Sequence, residues 1–262
     1  MWKLLLAFVV FAALALFVLS KGGDIDMGGE KHGAEATHAP AAAPAPASAV
    51  DSPDQPEAQP EPQADPDEEP LALQAVALTA GDSDPLEVSA RSGELTLWRG
   101  DDGLGTAELT LALSGRFRPV TGQVRLLTRD ADPALLRREV VVARVLDAVE
   151  AEPRLRVKEY LHSCLVLHGR RHNRLSPRQA LAEVGYDGDD HTAMEDLPPA
   201  DAVRVAVAGA LLARPVAVTV DRVDRGIADD DWAALRADLR RAAELSGVAI
   251  VASAVRHPKE QR

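Results

Sequence analysis

Three closely spaced glycines form the pattern in this sequence with the clearest chemical meaning: Gly100, Gly103 and Gly105. They lie between an apolar segment typical of a strand, residues 94–98, and an apolar segment typical of a buried helix, residues 108–113. A strand, a glycine-rich loop and a helix in this order can hold phosphate, because backbone amides and the helix N-terminus point toward the anion. Thr106 and Ala107 follow the last glycine directly. We therefore predict a phosphate-binding loop.

Asp221 is the second candidate residue, because it directly follows an apolar run at residues 216–220. A carboxylate at the end of a buried strand can bind Mg²⁺. It can also accept hydrogen bonds from the amides of a neighbouring loop. Since a single carboxylate without a substrate phosphate is a poor Mg²⁺ site, we favour the structural role for Asp221.

Strand-like and helix-like segments surround these residues and predict an α/β domain. An amphipathic helix is expected at residues 230–245, and a turn is expected at Ser92-Gly93. The predicted strands cover residues 86–90, 94–98, 216–220 and 247–253, with a further strand ending near Leu126.

The composition divides the chain into a tether and a folded domain. Residues 32–90 contain twelve acidic residues and neither Lys nor Arg, which equals the whole net charge of −12. Nine of the eighteen prolines lie between Pro40 and Pro70, so this part cannot bury enough apolar surface to fold. We predict a disordered acidic linker at residues 23–70, one folded domain at 71–256 and a tail at 257–262.

Residues 4–19 are uncharged and almost wholly apolar. A helix from Trp2 to Ser20 is about 28 Å long, close to the thickness of the hydrocarbon core of a membrane. The alternative is a cleaved signal peptide, but no small-x-small cleavage site directly follows the apolar run. We therefore predict an uncleaved single-pass anchor at residues 1–22, with the cell membrane as a partner.

The composition and two residue clusters bear on other classes of function. Nucleic acid is not expected as a partner, because the domain has no basic stripe or aromatic platform. In a helix, Cys164, His168 and His172 would share one face, as a zinc site requires, but the Arg170-Arg171 pair after Gly169 makes ordinary packing the better interpretation. Nearby His162 belongs to the same group. The acidic run at residues 187–190 lacks the spacing of a calcium loop.

Several further segments resemble the ATPase domain of ABC transporters. Residues 91–94 precede the glycine loop as they do in that family, and residues 155–161 are similar to one of its helix starts. Residues 197–201 lie at the position of the LSGGQ signature, and residues 204–215 resemble the helix RVAIARALLARP that follows it. Asp221 then takes the Walker B position. The resemblance extends, in order, over most of the predicted domain.

The resemblance implies a P-loop NTPase fold with a degenerate nucleotide site. The family pattern is G-x-x-G-x-G-K-[ST], and here Thr106 replaces the lysine that contacts the phosphates, while Ala107 replaces the hydroxyl that ligates Mg²⁺. Arg222 stands where a glutamate polarises the attacking water. Arg144 replaces the family's Gln, and Ala228 replaces the Asp of the loop after Walker B. Ala254 or Val255 stands at the position of the switch His. The signature residues are replaced by Pro198, Pro199 and Ala200. His257 lies two or three residues beyond the switch position.

Electrostatics near the loop also argues against polyphosphate. Asp101, Asp102 and Glu108 are acidic, and residues 100–108 contain no Lys or Arg. A helix N-terminus supplies only about half a positive charge. We expect no catalytic residues, no metal ligands and no obligatory cofactor, and ATP is a possible ligand. The degenerate nucleotide site comprises Gly100, Gly103, Gly105, Thr106, Ala107 and Asp221.

The sequence leaves three functions open. The favoured one is a non-hydrolysing regulatory or scaffold subunit of a membrane transport system, beside an ABC-type permease or another ATPase subunit. The alternative is an atypical but functional ATP-binding subunit, paired with a normal one. The resemblance implies a cytoplasmic domain in both cases, whereas a third possibility is a tethered domain outside the cytoplasm.

Overall fold

The computed structural model describes residues 71–81, 83–100, 103–168 and 175–255. The predicted anchor, linker and tail lie outside these residues. Within the described part of the chain, no helix is long and apolar enough to cross a membrane. The anchor at residues 1–22 stays a prediction.

Two sheets organise the described residues, and the first is antiparallel. It consists of four strands in the order β2-β1-β4-β5. Their bounds are Leu71–Thr79 for β1, Leu86–Arg91 for β2, Thr121–Leu126 for β4 and Arg129–Asp130 for β5. β1 was not predicted. A bulge interrupts its pairing near Ala77, whose φ is +47°, and this irregularity weakens the strand pattern.

The second sheet is parallel, with four strands in the order β3-β8-β7-β6. Their bounds are Leu95–Arg99 for β3, Val140–Arg144 for β6, Ala217–Val220 for β7 and Ala249–Ala254 for β8. Every residue of β7 and β8 is buried, as both faces of a parallel sheet usually are. The predicted α/β class is thus confirmed.

Helices cover both faces of the parallel sheet. They are α1 (Leu104–Leu113), α2 (Pro133–Glu139), α3 (Val157–Leu167), α4 (Pro177–Glu183), α5 (Pro199–Leu211) and α6 (Asp229–Ser246), with a 3₁₀ turn at Met194–Asp196. Alternate residues of β8 belong to different hydrophobic cores. Ile250 belongs to the core that includes residues of α3, α4, α5 and α6. Val251 belongs to the core that includes residues of α1 and the antiparallel sheet. The parallel sheet therefore separates two hydrophobic cores.

The predicted strands at residues 86–90 and 94–98 are confirmed, but they belong to different sheets. Gly93, with a φ of +75°, makes the turn that carries the chain from one sheet to the other. β3 then lies beside β8, which aligns the start of the predicted phosphate loop with the end of the last strand.

Candidate functional site

The carboxyl ends of the parallel strands meet at one edge, where ligands of such sheets usually bind. The amide of Gly100, after β3, donates to the carbonyl of Ala254 at 2.9 Å. The amide of Asp221, after β7, donates to the carbonyl of Arg144 at 2.9 Å. Ser253 of β8 lies between Gly100 and Asp221. The structure therefore brings both predicted parts of the site together.

The glycine loop leads directly into α1. Gly103 is the N-cap in an extended conformation, and Gly105, Thr106 and Ala107 form part of the first helical turn. Both Thr106 and Ala107 are buried. Residues 101 and 102 lie outside the described part of the chain. The helix thus begins before the positions where the family has its lysine and hydroxyl.

Thr106 packs against the start of its own loop. A methyl group added to Gly100 would lie 2.6 Å from Cγ2 of Thr106 and 3.2 Å from Cβ of Ser253. Thr106 is only 3% exposed. A neutral, buried side chain therefore takes the position where a phosphate-binding site needs a cation.

The turn between β1 and β2 lies against the first turns of α1. A methyl group at Gly105 would lie 3.1 Å from Cβ of Ser83, and the carboxylate of Glu108 reaches Gly81. A cavity of about 380 Å³ lies beside these contacts, between residues 83–86 and the start of α1. The acidic Glu108 next to this helix start is unfavourable for an anionic ligand.

Asp221 has no exposed surface, and its carboxylate accepts three hydrogen bonds. Oδ2 accepts from Nε of Arg222 at 2.9 Å and from the amide of Leu146 at 3.3 Å. Oδ1 accepts from Oγ of Ser253 at 3.1 Å. The carboxylate is therefore used within the protein, in agreement with the structural role favoured from the sequence.

Arg222 is also buried, and it adopts an unusual backbone conformation. Its φ is +42°, in the left-handed region that a non-glycine residue rarely adopts. Its amide donates to Oγ of Ser253 at 2.6 Å, and its Nη2 donates to the carbonyl of Leu146 at 3.5 Å. The guanidinium is thus directed back onto Asp221, which precedes it in the chain.

A second guanidinium supports the same turn. Nη2 of Arg144 donates to the carbonyl of Arg222 at 3.3 Å. Burial is the main cause that lowers the pKa of Arg144, with Glu150 and Asp221 acting in the opposite direction. The position at which the family has a metal-contacting glutamine therefore holds a partly buried cation that stabilises the backbone.

Of the other replaced positions, Ala254 and Val255 lie at the end of β8, and the rest lie at helix starts. Ala254 is buried in β8, and the amide of Val255 donates to Oδ1 of Asp224 at 3.0 Å. Pro198 and Pro199 begin α5 without a side-chain cap, and Ala228 is the N-cap of α6, also without one. His257 lies outside the described residues. Neither Ala254 nor Val255 can transfer a proton at the switch position.

Within the predicted histidine and cysteine group, Cys164 is part of the packing of α3, whereas His162 is exposed. Cys164 packs against Tyr160 and Gly209, and burial raises the pKa of its thiol, which disfavours the thiolate that zinc needs. Burial and Arg116 lower the pKa of His168. His172 lies outside the described residues.

The acidic run after α4 is exposed at the surface. Ligand atoms of Asp189, Asp190 and His191 lie within 4.8 Å of one another. Nζ of Lys158 lies 3.2 Å from Nδ1 of His191, so a cation already sits beside the group.

Sequence reasoning missed the partners of Asp221. Ser253 and Leu146 carry no motif, and Arg222 attracted attention only as the replacement of a glutamate. The one available signal was the adjacency of an acid and a base at a strand end. That signal is weak, because adjacent residues of a strand normally point to opposite faces.

The parallel sheet and the helix that follows the glycine-rich segment give the described residues an α/β fold that matches the P-loop domains of ABC ATPases. Solved structures of ABC transporter ATP-binding subunits share this fold. The structure of cbiO1 from Clostridium perfringens, described as part of the ABC transporter complex cbiONQ, has a TM-score of 0.57 at 18% identity, covering 71% of this chain and 79% of that chain. A putative ABC transporter ATP-binding protein from Pyrococcus furiosus has a TM-score of 0.56 at 17% identity, covering 72% of this chain and 93% of that chain.

A nucleotide-free ATP-binding cassette from an ABC transporter is similar as well, with a TM-score of 0.54 at 14% identity, covering 70% of this chain and 81% of that chain. No protein-family profile and no curated protein matches the sequence. The likeness therefore establishes the fold, and the chemistry has to be argued from the residues.

Magnesium and ATP are the ligands that this fold implies, and the residues present do not fit them. The carboxylate of Asp221 is already paired with a buried guanidinium. Thr106 offers no charge, and Ala107 offers no oxygen. These residues therefore lack the groups that phosphoryl transfer from a bound nucleotide requires.

Proposed function

We propose that this protein is a membrane-anchored, degenerate ABC ATPase-like domain that acts as a non-hydrolysing regulatory or scaffold subunit of a membrane transport system. The observation that carries the proposal is the buried, neutral Thr106 packed onto Gly100. Phosphoryl transfer depends on cations that stabilise charge on the phosphates. A site with threonine at the lysine position lacks the first of these cations.

The tether supports the location of this function. An anchor at residues 1–22 and a linker at 23–70 would hold the domain near the membrane, and an extended linker can span on the order of 100 Å. The solved cbiO1 structure is part of an ABC transporter complex, which favours a permease as the partner here. In that arrangement the domain lies in the cytoplasm.

Nucleotide turnover and binding by the full-length chain, purified in detergent, test the proposal directly. We expect no phosphate release above the level of a heat-inactivated sample, and no calorimetric signal with ATP and Mg²⁺ in the millimolar range. The matched control is the Asp221→Ala variant, which should behave as the wild type in both assays. Turnover that disappears in Asp221→Ala would refute the non-hydrolysing role.

The alternative function is an ATP-binding subunit paired with an active one, and it has one observation in its favour. Gly100, Gly103 and Gly105 keep the glycine spacing of a phosphate loop, and Gly103 is the N-cap of a helix whose first amides can bind an anion without a lysine. ATP binding without turnover would support this alternative. Protease treatment of intact cells tests the location of the domain, since a cytoplasmic domain is protected.

A further inference from the structure

The guanidinium of Arg222 contacts a carboxylate oxygen and a backbone carbonyl oxygen. Oδ2 of Asp221 lies 2.9 Å from its Nε, and the carbonyl oxygen of Leu146 lies 3.5 Å from its Nη2. Oγ of Ser253 bonds the same carboxylate at 3.1 Å. A carboxylate and a backbone carbonyl thus face one buried positive charge, and the hydroxyl of Ser253 holds the carboxylate by its other oxygen.

These oxygen types are those that Mg²⁺, Mn²⁺ and Ca²⁺ take as ligands. A buried carboxylate needs a cation or a proton, because an unpaired buried charge is expensive. In this chain the cation is covalently attached, and Asp221 and the side chain of Arg222 are 0% and 6% exposed. The positive φ of Arg222 is the conformation that directs its side chain onto the preceding residue.

We propose that the guanidinium of Arg222 is a built-in cation that replaces a divalent metal ion at Asp221, and that removal of this side chain uncovers a divalent-cation site. The site consists of the carboxylate of Asp221 and the carbonyl of Leu146, and Ser253 positions the carboxylate. The Arg222 guanidinium joins the chain after β6 to the chain after β7 through Leu146 and Asp221. This proposal deepens the proposed function and rests on it, because it concerns a subunit that does not hydrolyse nucleotide.

The backbone contacts favour this role over accidental pairing. The amide of Arg222 donates to Oγ of Ser253 at 2.6 Å, and the carbonyl of Arg222 accepts from Arg144 at 3.3 Å. Hydrogen bonds therefore hold the backbone of Arg222 at both its amide and its carbonyl. Removal of the Arg222 side chain leaves these backbone contacts intact, so the oxygen atoms should keep their positions around the vacated space.

Mn²⁺ binding to the full-length chain, without nucleotide, tests the proposal. Electron paramagnetic resonance measures free Mn²⁺, and thermal unfolding with and without Mn²⁺ measures stabilisation. The variants are Arg222→Met, which keeps most of the side-chain volume, Arg222→Lys, which keeps the charge, and the double variant Asp221→Asn/Arg222→Met. The acidic linker and the Asp189–Asp190–His191 group are the same in every variant, so any Mn²⁺ bound there cancels in the comparison and differences between variants report on the buried site.

We expect the wild type and Arg222→Lys to bind no more Mn²⁺ than the double variant. Arg222→Met should bind one additional Mn²⁺, about tenfold or more tightly than the double variant, because the carboxylate is the charged ligand. Its melting temperature should rise with Mn²⁺, whereas that of the wild type should not.

Two results would overturn the proposal. The first is Mn²⁺ binding by the wild type, if the Asp221→Asn substitution abolishes that binding. This comparison does not depend on the folding of any Arg222 variant. The other is a folded Arg222→Met chain whose Mn²⁺ binding equals that of the double variant. Because nucleotide is absent, neither result depends on ATP binding, and ATP turnover by the wild type would refute the proposed function separately.

Discussion

Replacement of Asp221 by Asn is the sharpest test of how the strand ends are held together. Asn keeps the size of the side chain and can still accept from Ser253, but it removes the negative charge opposite Arg222. The guanidinium then stays buried and loses the carboxylate of Asp221, because Arg222 is only 5% exposed. Arginine does not lose its proton at accessible pH, so the charge cannot be neutralised.

The expected cost follows from burial of both partners. Breaking a buried ion pair by removing one partner costs about 3–5 kcal/mol, since an uncompensated charge remains. For a domain of this size, about 2–4 °C of melting temperature is lost for each kcal/mol. We therefore expect Asp221→Asn to melt about 10 °C below the wild type.

Thermal and urea unfolding of the full-length chain, followed by circular dichroism, measure this cost. The matched control is Asp130→Asn, because Nε of Arg125 lies 3.0 Å from Oδ1 of Asp130 in an exposed pair. Exposed pairs contribute about 0–1 kcal/mol, so this variant should melt close to the wild type. The double variant Asp221→Asn/Arg222→Met should regain much of the loss, because it leaves no unpaired charge.

Equal effects of Asp221→Asn and Asp130→Asn would refute the reasoning, since the two pairs differ mainly in burial. A double variant that is as unstable as Asp221→Asn would refute it as well, because the loss would then come from packing and not from charge.

Two further predictions concern the loop and a half-buried carboxyl. Gly100→Ala should cost about 1–3 kcal/mol by crowding Cγ2 of Thr106, and Thr106→Ser, which lacks this methyl group, should restore part of the loss in urea unfolding; no restoration would contradict the contact. Burial raises the pKa of Glu183, and its Oε2 has no hydrogen-bond partner among the described residues. The protonated carboxyl therefore favours the folded state, and this contribution to the free energy of unfolding is lost as pH rises through the pKa of the folded state. Glu183→Gln should therefore melt above the wild type at neutral pH and lose this advantage in acid, and a pH-independent difference would contradict it.

The fold was predictable where local pattern and burial coincide. Residues 216–220 and 247–253 are apolar because both faces of β7 and β8 are buried, and the amphipathic pattern of 230–245 predicted α6. The short helix α2 was missed, since its start depends on one side chain, Asp132, which accepts from the amide of Leu135. Such short elements carry too few residues to show a period.

Long-range relations were less accessible. The predicted turn at Ser92-Gly93 is correct, but a turn does not specify whether the next strand pairs with its predecessor or joins another sheet. At the site, residue types revealed which chemical groups are replaced, whereas the contact between Asp221 and Arg222 depends on the positive φ of Arg222. A sequence pattern does not signal a positive φ at an arginine.

The replacements at residues 106 and 222 differ in how they constrain the chemistry of the site. Thr106 fills space over Gly100, so a lysine there would mainly disturb the packing of one loop. A glutamate in place of Arg222 would set a second carboxylate beside a fully buried one and remove the cation that neutralises it. Two like charges about 4 Å apart cost about 4 kcal/mol at an effective dielectric near 20.

Stability without a ligand therefore favours arginine at residue 222, whereas a metal-dependent hydrolytic site would require glutamate at that position. A domain that must hold its shape without nucleotide, as a scaffold must, is better served by the arginine.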